Sequence, residues 1–406
     1  MRNFAKINIY TLDSAASEQR YLLEYGDRIF EANSKVVELL ETLQTHTSRA
    51  DAVEAFRVKH SEYTSAQIDE CIDLAFEPIF NGKGNTSGRG FLYKKQCIDG
   101  PEIEWLTAKL KHLFHWQVAL PVAVAAIALD VWFLLTSGSM RTFDGTITAT
   151  LLIVLGAFLC ASSFFHELGH ASACRYMGIR HGGIGFAMYL TFPIFFTDVT
   201  QAWKLPRLHR MAVNLGGIYF QLYILIALLG WYMATGSDMA RYLALAMNLG
   251  FLLVLNPFFR FDGYWIASDL LGVPNLRRQS TDTLRYALAR LRKHVPHSQP
   301  DLLAMKGSTK WAFIIYCVIV NLFMGYFFFY VIPMFIYKFC QTFPADIERL
   351  FTFIAEGLTP SFALLHNIAG QLLFLAMIGY MVYGLARPYY KRFRACLKDD
   401  RFKARL

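Results

Sequence analysis

The chain has 406 residues, of which 55% are hydrophobic, 16% aromatic and only 17% charged, against about 25% charged in ordinary globular domains. So much apolar surface exceeds what a water-soluble fold buries, and a bilayer removes the need to bury it. The net charge of +9 does not mark a nucleic-acid binder, because the Lys and Arg residues flank apolar stretches and do not gather on one soluble face.

The opening residues, MRNFAKINIYTLDSAASEQR, hold no apolar signal-peptide core, so a cytoplasmic start is expected. Tyr21–Tyr25 and Arg28–Glu31, on either side of Gly26-Asp27, predict two short strands around a turn. Amphipathic patterns over roughly 34–44, 49–60 and 65–80 predict three helices, with Val36, Leu39, Leu40 and Leu43 on one face of the first. Residues 82–90 (GKGNTSGRG) form a polar linker. A strand over 91–98 and a basic amphipathic approach helix near 102–114 follow.

From Trp116 apolar stretches recur, and at about 20 residues per crossing they predict helices near 116–136, 147–174, 209–234, 239–256, 311–335 and 361–385. The stretch 184–197 is too short to cross and contains Pro193. It reads as a membrane-embedded hairpin packed against protein, which satisfies its backbone. The expected fold is an α-helical polytopic membrane protein of about six transmembrane helices, all-helical in its membrane part, behind a small winged-helix-like α+β domain. Its divisions are a soluble domain at 1–90, a linker and approach helix at 91–115, a membrane core at 116–390 and a basic tail at 391–406, which faces anionic lipid headgroups.

Positive charge concentrates in 175–210, 257–310 and 386–406, whereas the opposite loops hold little more than Arg141, Arg241, Lys338 and Arg349. By the positive-inside rule this predicts both termini in the cytoplasm. Seven cysteines (71, 97, 160, 174, 317, 340 and 396) form no CxxC pair, so free thiols are expected.

The chemistry centres on Phe165-His166-Glu167-Leu168-Gly169-His170. Spacing of i, i+4 puts both imidazoles on one helical face, where they can share one Zn²⁺. Glu167 beside them can serve as general base toward water. The motif ends an apolar helix, where buried His and Glu are costly without a function. A catalytic zinc wants a third protein ligand, and Asp262 in Asn256-Pro257-Phe258-Phe259-Arg260-Phe261-Asp262-Gly263 stands at the corresponding end of another span. Pro257 ends that helix and Gly263 permits a turn back into the bundle.

A membrane-embedded HExxH followed about ninety residues later by an Asp-Gly pair resembles the site-2 protease family of intramembrane zinc metalloproteases, over about residues 147–270. The resemblance implies zinc ligation by His166, His170 and Asp262, with Glu167 as catalytic base. Residues 1–90 also resemble, less specifically, the PqqD-like domains that capture leader peptides during maturation of ribosomally made peptides. A generic winged-helix-like regulatory domain is the alternative.

Smaller expectations attach to other polar residues. Asp198 either orients a ligand histidine or caps an interface turn. Asp130 packs or pairs helices, Asn214 and Gln221 make interhelical hydrogen bonds, and His112, His115, His181 and His209 form no second histidine box. A di-iron desaturase would need several such boxes. The function expected is zinc-dependent endopeptidase action on a membrane-associated protein or a ribosomally made precursor peptide, in a bacterial inner membrane. The alternative is a non-proteolytic partner that recruits a peptide to modification or export proteins.

Overall fold

The computed structural model describes residues 4–16, 18–81, 91–136, 149–189, 192–292, 305 and 307–403, so the expected linker at 82–90 lies outside the described residues. The N-terminal part is an antiparallel meander of β1 (Asn8–Leu12), β2 (Arg20–Tyr25) and β3 (Arg28–Asn33), in that order. Leu23 pairs with Ile9 on one side and Phe30 on the other, which gives the sheet one apolar face. Three helices cover that face: α1 (Ser34–Thr45), α2 (Arg49–Lys59) and α3 (Ser65–Phe80). Each starts at a polar cap, Asn33, Ser48 and the Thr64–Gln67 capping box, which satisfies backbone N–H groups that the first turn leaves free. Leu23, Leu40, Phe56, Ile72 and Phe76 form the core. The expected strands and helices are present, and β1 is an addition whose Asn8-Ile9-Tyr10-Thr11 run carries too little apolar alternation to read as a strand.

Next come β4 (Phe91–Ile98), α4 (Gly100–Leu110), α5 (Trp116–Thr136), α6 (Ala149–Tyr176), β5 (Ile184–Tyr189), β6 (Phe192–Thr197), α7 (Arg207–Thr235) and α8 (Asp238–Val254). They are followed by α9 (Asp262–Leu271), α10 (Leu276–Leu291), α11 (Gly307–Tyr326), α12 (Ile332–Ala355) and α13 (Phe362–Lys403). Among the described residues, five helical stretches, Trp116–Thr136, Ile153–Tyr176, Arg207–Thr235, Gly307–Ala355 and Ala363–Tyr380, are long and apolar enough to cross a bilayer. This is a polytopic helical membrane protein. Val124, Ile127, Val131, Leu134 and Leu135 of α5 stay exposed, an apolar surface that suits lipid and not water.

Three expectations change. The membrane part is not all-helical: the apolar 184–197 stretch folds as the β5–β6 hairpin, and β4 joins it to make a second antiparallel sheet of order β4-β5-β6. The fourth expected crossing, 239–256, is α8, which at 17 residues is shorter than the five spans. The loop expected after 335 is helix, because α11 runs through a π-helical turn at Phe327–Val331 into α12. The 49 residues from Gly307 to Ala355 would extend about 73 Å at about 1.5 Å per residue, more than twice a hydrocarbon core of about 30 Å. The polar residues of α12 that suggested a loop are used in packing: Asp346 accepts from Asn367 (2.7 Å) and Gln371 (3.1 Å) of α13.

Candidate metal centre

The apolar run before Phe165 and the good helix formers after it keep α6 helical through Cys174. His166, Glu167 and His170 therefore lie on its buried face, at 8%, 9% and 7% exposure. α7 packs directly against that face. A Cβ on Gly217 would lie 2.4 Å from His166 Nε2, so only glycine lets the imidazole rest on the α7 backbone. Asp262 is the first residue of α9, at a helix N-terminus that favours negative charge. The chain reaches it through a turn after α8, where the Asn256 carboxamide accepts the Phe258 N–H at 2.8 Å. Gly263 serves another purpose than the expected turn. It is helical, and a Cβ there would lie 2.0 Å from the Leu255 carbonyl oxygen, so glycine permits the close approach of α9 to the end of α8.

His166 Nε2, His170 Nε2 and Asp262 Oδ2 form a small triangle: 3.0 Å between the two nitrogens, 2.9 Å from His166 to Asp262 and 3.2 Å from His170 to Asp262. Ligands at about 2.0–2.1 Å from a tetrahedral zinc stand about 3.3 Å apart, close to these edges. The far side of each ring decides the protonation. His170 Nδ1 lies 2.8 Å from the Val213 carbonyl oxygen, which can only accept, so Nδ1 carries the proton. His166 Nδ1 lies 3.0 Å from Gln221 Oε1. The Gln221 amide is oriented by donating to Ser162 Oγ at 2.9 Å, so its oxygen faces the imidazole and again accepts. Both Nε2 atoms of the neutral rings therefore carry lone pairs, and with an Asp262 oxygen they point at one another. Three such atoms in mutual contact need a positive charge among them, a shared proton or a metal ion. This donor set fits zinc, and the Gln221 and Val213 oxygens are partners of the kind that orient histidines toward a metal.

Glu167 lies next to the triangle, within electrostatic reach of His170. Its backbone carbonyl accepts from Thr197 Oγ1 at 3.0 Å, which brings the end of β6 beside it. Among the described residues β6 pairs only with β5 and stands at the edge of its sheet.

The structure places the remaining residues as follows. Asp198 caps a turn, accepting from Thr200 N (3.0 Å) and Thr200 Oγ1 (2.5 Å); Gln221 and Val213 take the orienting role considered for it. Asp130 accepts from Asn248 of α8 at 2.8 Å, a helix-pairing contact. Asn214 donates to Asp269 of α9 at 3.0 Å. His181 contacts Thr107 at 2.9 Å, and His112 contacts His115; neither approaches the triangle as a ligand. Sequence reasoning missed Val213 and Gly217, although Val213, Gly217 and Gln221 recur every four residues and so share one face of α7.

The His-His-Asp geometry defines a candidate zinc centre in a polytopic membrane protein. No family model matches the chain, and no solved structure matches it. Among curated proteins it is 25% identical, over 132 residues, to the "Putative peptide zinc metalloprotease protein YydH" of Bacillus subtilis (strain 168). The match covers 32% of this chain and 52% of that protein, so the chain spans about half the length of the curated relative.

Proposed function

We propose that this protein is a membrane-embedded zinc endopeptidase of the site-2 protease kind, acting on a membrane-associated protein or a ribosomally made precursor peptide. The observation that carries the proposal is the triangle of three lone-pair donors on His166, His170 and Asp262, with Glu167 beside it. The relative's name adds the peptide substrate class and the metal.

Zinc in this site supplies Lewis-acid polarisation of a carbonyl and acidification of water. The chain's own residues do the rest. His166, His170 and Asp262 would hold the ion, and Gln221 and Val213 fix the ring tautomers. Glu167 takes the proton of the attacking water and returns it to the leaving amine. The edge of β6 gives an extended substrate a row of backbone partners, and its end at Thr197 leads to Glu167. In this reading residues 1–90 capture the peptide by strand addition to an edge of their own small sheet. Positive charge in 175–210 and 257–292, with α8 taken as a sixth and shorter crossing, supports a cytoplasmic face for the site, both termini inside and residence in a bacterial inner membrane.

The test is a comparison of the protein N-termini in cells expressing wild type and Glu167→Gln. New N-termini that vanish in the variant, while its zinc is retained, support the proposal. Identical N-terminal profiles contradict it and favour the recruiting role.

A further inference from the structure

The third metal ligand stands on a short support. His166 and His170 belong to a 28-residue helix, whereas Asp262 opens α9, which has ten residues. A buried ion pair ties α9 to α7. Asp269 lies seven residues on from Asp262, two turns and about 10 Å along the helix. Its Oδ1 accepts from Arg210 Nε at 2.7 Å and its Oδ2 from Asn214 at 3.0 Å. Arg210 and Asp269 are 4% and 5% exposed. A pair so buried adds little net stability, but removing one partner strands the other charge, so the arrangement specifies position.

The network continues into the N-terminal domain. Arg210 Nη2 donates to the carbonyl of Asp13, just after β1, at 3.0 Å. The Asp13 carboxylate accepts the Arg207 backbone N–H at 3.0 Å and pairs with its guanidinium at 3.2 Å. The Ala15 N–H donates to the carbonyl of Gly272, the residue that caps α9, at 2.7 Å. Asn275, just beyond, donates to Glu31 of β3 at 3.2 Å. The far end of α9 is thus held between α7 and the N-terminal domain, while its near end carries the ligand.

We infer that the N-terminal domain clamps the metal centre: the Asp13–Ala15 segment, through Arg210, Asp269 and Gly272, sets α9 and so holds Asp262 against the two histidines. The inference rests on the metal-centre reading above. It makes Arg210 and Asp269 positioning residues, and it gives residues 1–90 a role in the site itself as well as in recruitment.

The full-length protein tests it with two readouts. In metal-stripped protein, Asp13→Ala and Asp269→Asn raise amide hydrogen exchange across 262–271 and leave 166–174 unchanged. In zinc-loaded protein they speed zinc release to a chelator by about ten- to a hundredfold, the usual effect of losing a residue that orients a ligand. In an Asp262→Ala background neither substitution speeds release further, because the ligand they position is gone. Asp13 is 45% exposed at its side chain, so Asp13→Ala keeps the test open if Asp269→Asn does not fold. Unchanged exchange in α9, or the same acceleration without Asp262, overturns the clamp. A wild-type chain that holds no zinc overturns the metal reading instead, and the exchange experiment still decides the clamp.

Discussion

Two neutral imidazoles cannot point lone pairs at each other across 3.0 Å without a cation between them, and this decides what substitutions around them do. Gln221→Leu removes the acceptor that keeps the His166 proton on Nδ1, so zinc affinity should fall by about ten- to a hundredfold in a chelator competition, with the fold retained. Gly217→Ala should do at least as much harm, because the added methyl occupies the place of the His166 ring. Undiminished affinity in both variants would show that the ring orientation is not held from α7. At this scale the sequence showed the two histidines and the aspartate that the fold brings together, and not most of the residues around them. HExxH and the Asp-Gly pair are local patterns of conspicuous residues, whereas Val213 contributes only a backbone carbonyl and Gly217 only the absence of a side chain. Neither announces a role until α7 is laid against α6. The same holds for Arg210, which meets Asp269 from 59 residues away, whereas Asn214, four residues on, makes the interhelical hydrogen bond its residue type suggested.

Among the elements, apolar length and helical periodicity were legible, and strand pairing across the chain was not. The α1, α2, α3 and β4 boundaries follow from local pattern and caps. The β4–β5 pairing joins residues about ninety apart, and its register depends on tertiary packing. Likewise α12 was hidden because Lys338, Asp346 and Arg349 break the apolar run, although Asp346 turns inward to α13. Between α5 and α8, Asn248→Leu leaves the Asp130 carboxylate without its amide donor. It should lower the unfolding midpoint by an amount corresponding to about 0.6–2 kcal/mol; no change would make that contact dispensable. Docking of β2 should depend on pH. Burial pushes the Glu24 carboxyl up, but hydrogen bonds from Lys204, Tyr10 and Asn8 outweigh it and hold it below the usual carboxylate range. A carboxyl depressed in the folded state contributes fully above its unfolded value of about 4.3. The contribution disappears as pH falls through the lower folded value. Hydrogen exchange in the Thr200–Lys204 turn should therefore rise in acid, and Glu24→Gln should remove that pH dependence. Equal pH dependence in the variant would assign the effect elsewhere.

For the whole molecule, composition alone announced a membrane protein, because five apolar spans leave their mark on residue counts. The docking of the N-terminal domain left no such mark: the Asp13–Arg207 and Glu24–Lys204 contacts join residues nearly 200 positions apart, and a polar linker suggested an independent module. Charge asymmetry predicts both termini on the cytoplasmic face, with 257–292 beside them. Cysteines introduced near residues 285 and 400 should resist an impermeant thiol reagent in intact cells and react after permeabilisation. Strong labelling from outside would invert the topology and place the metal centre on the other face. The claim on which the rest depends is the metal itself. Purified, full-length protein should hold about one zinc per chain by elemental analysis. The ion should be lost when His166 and His170 are both replaced by Ala, and kept when Glu167 becomes Gln. Zinc undiminished in the double histidine variant would contradict the account.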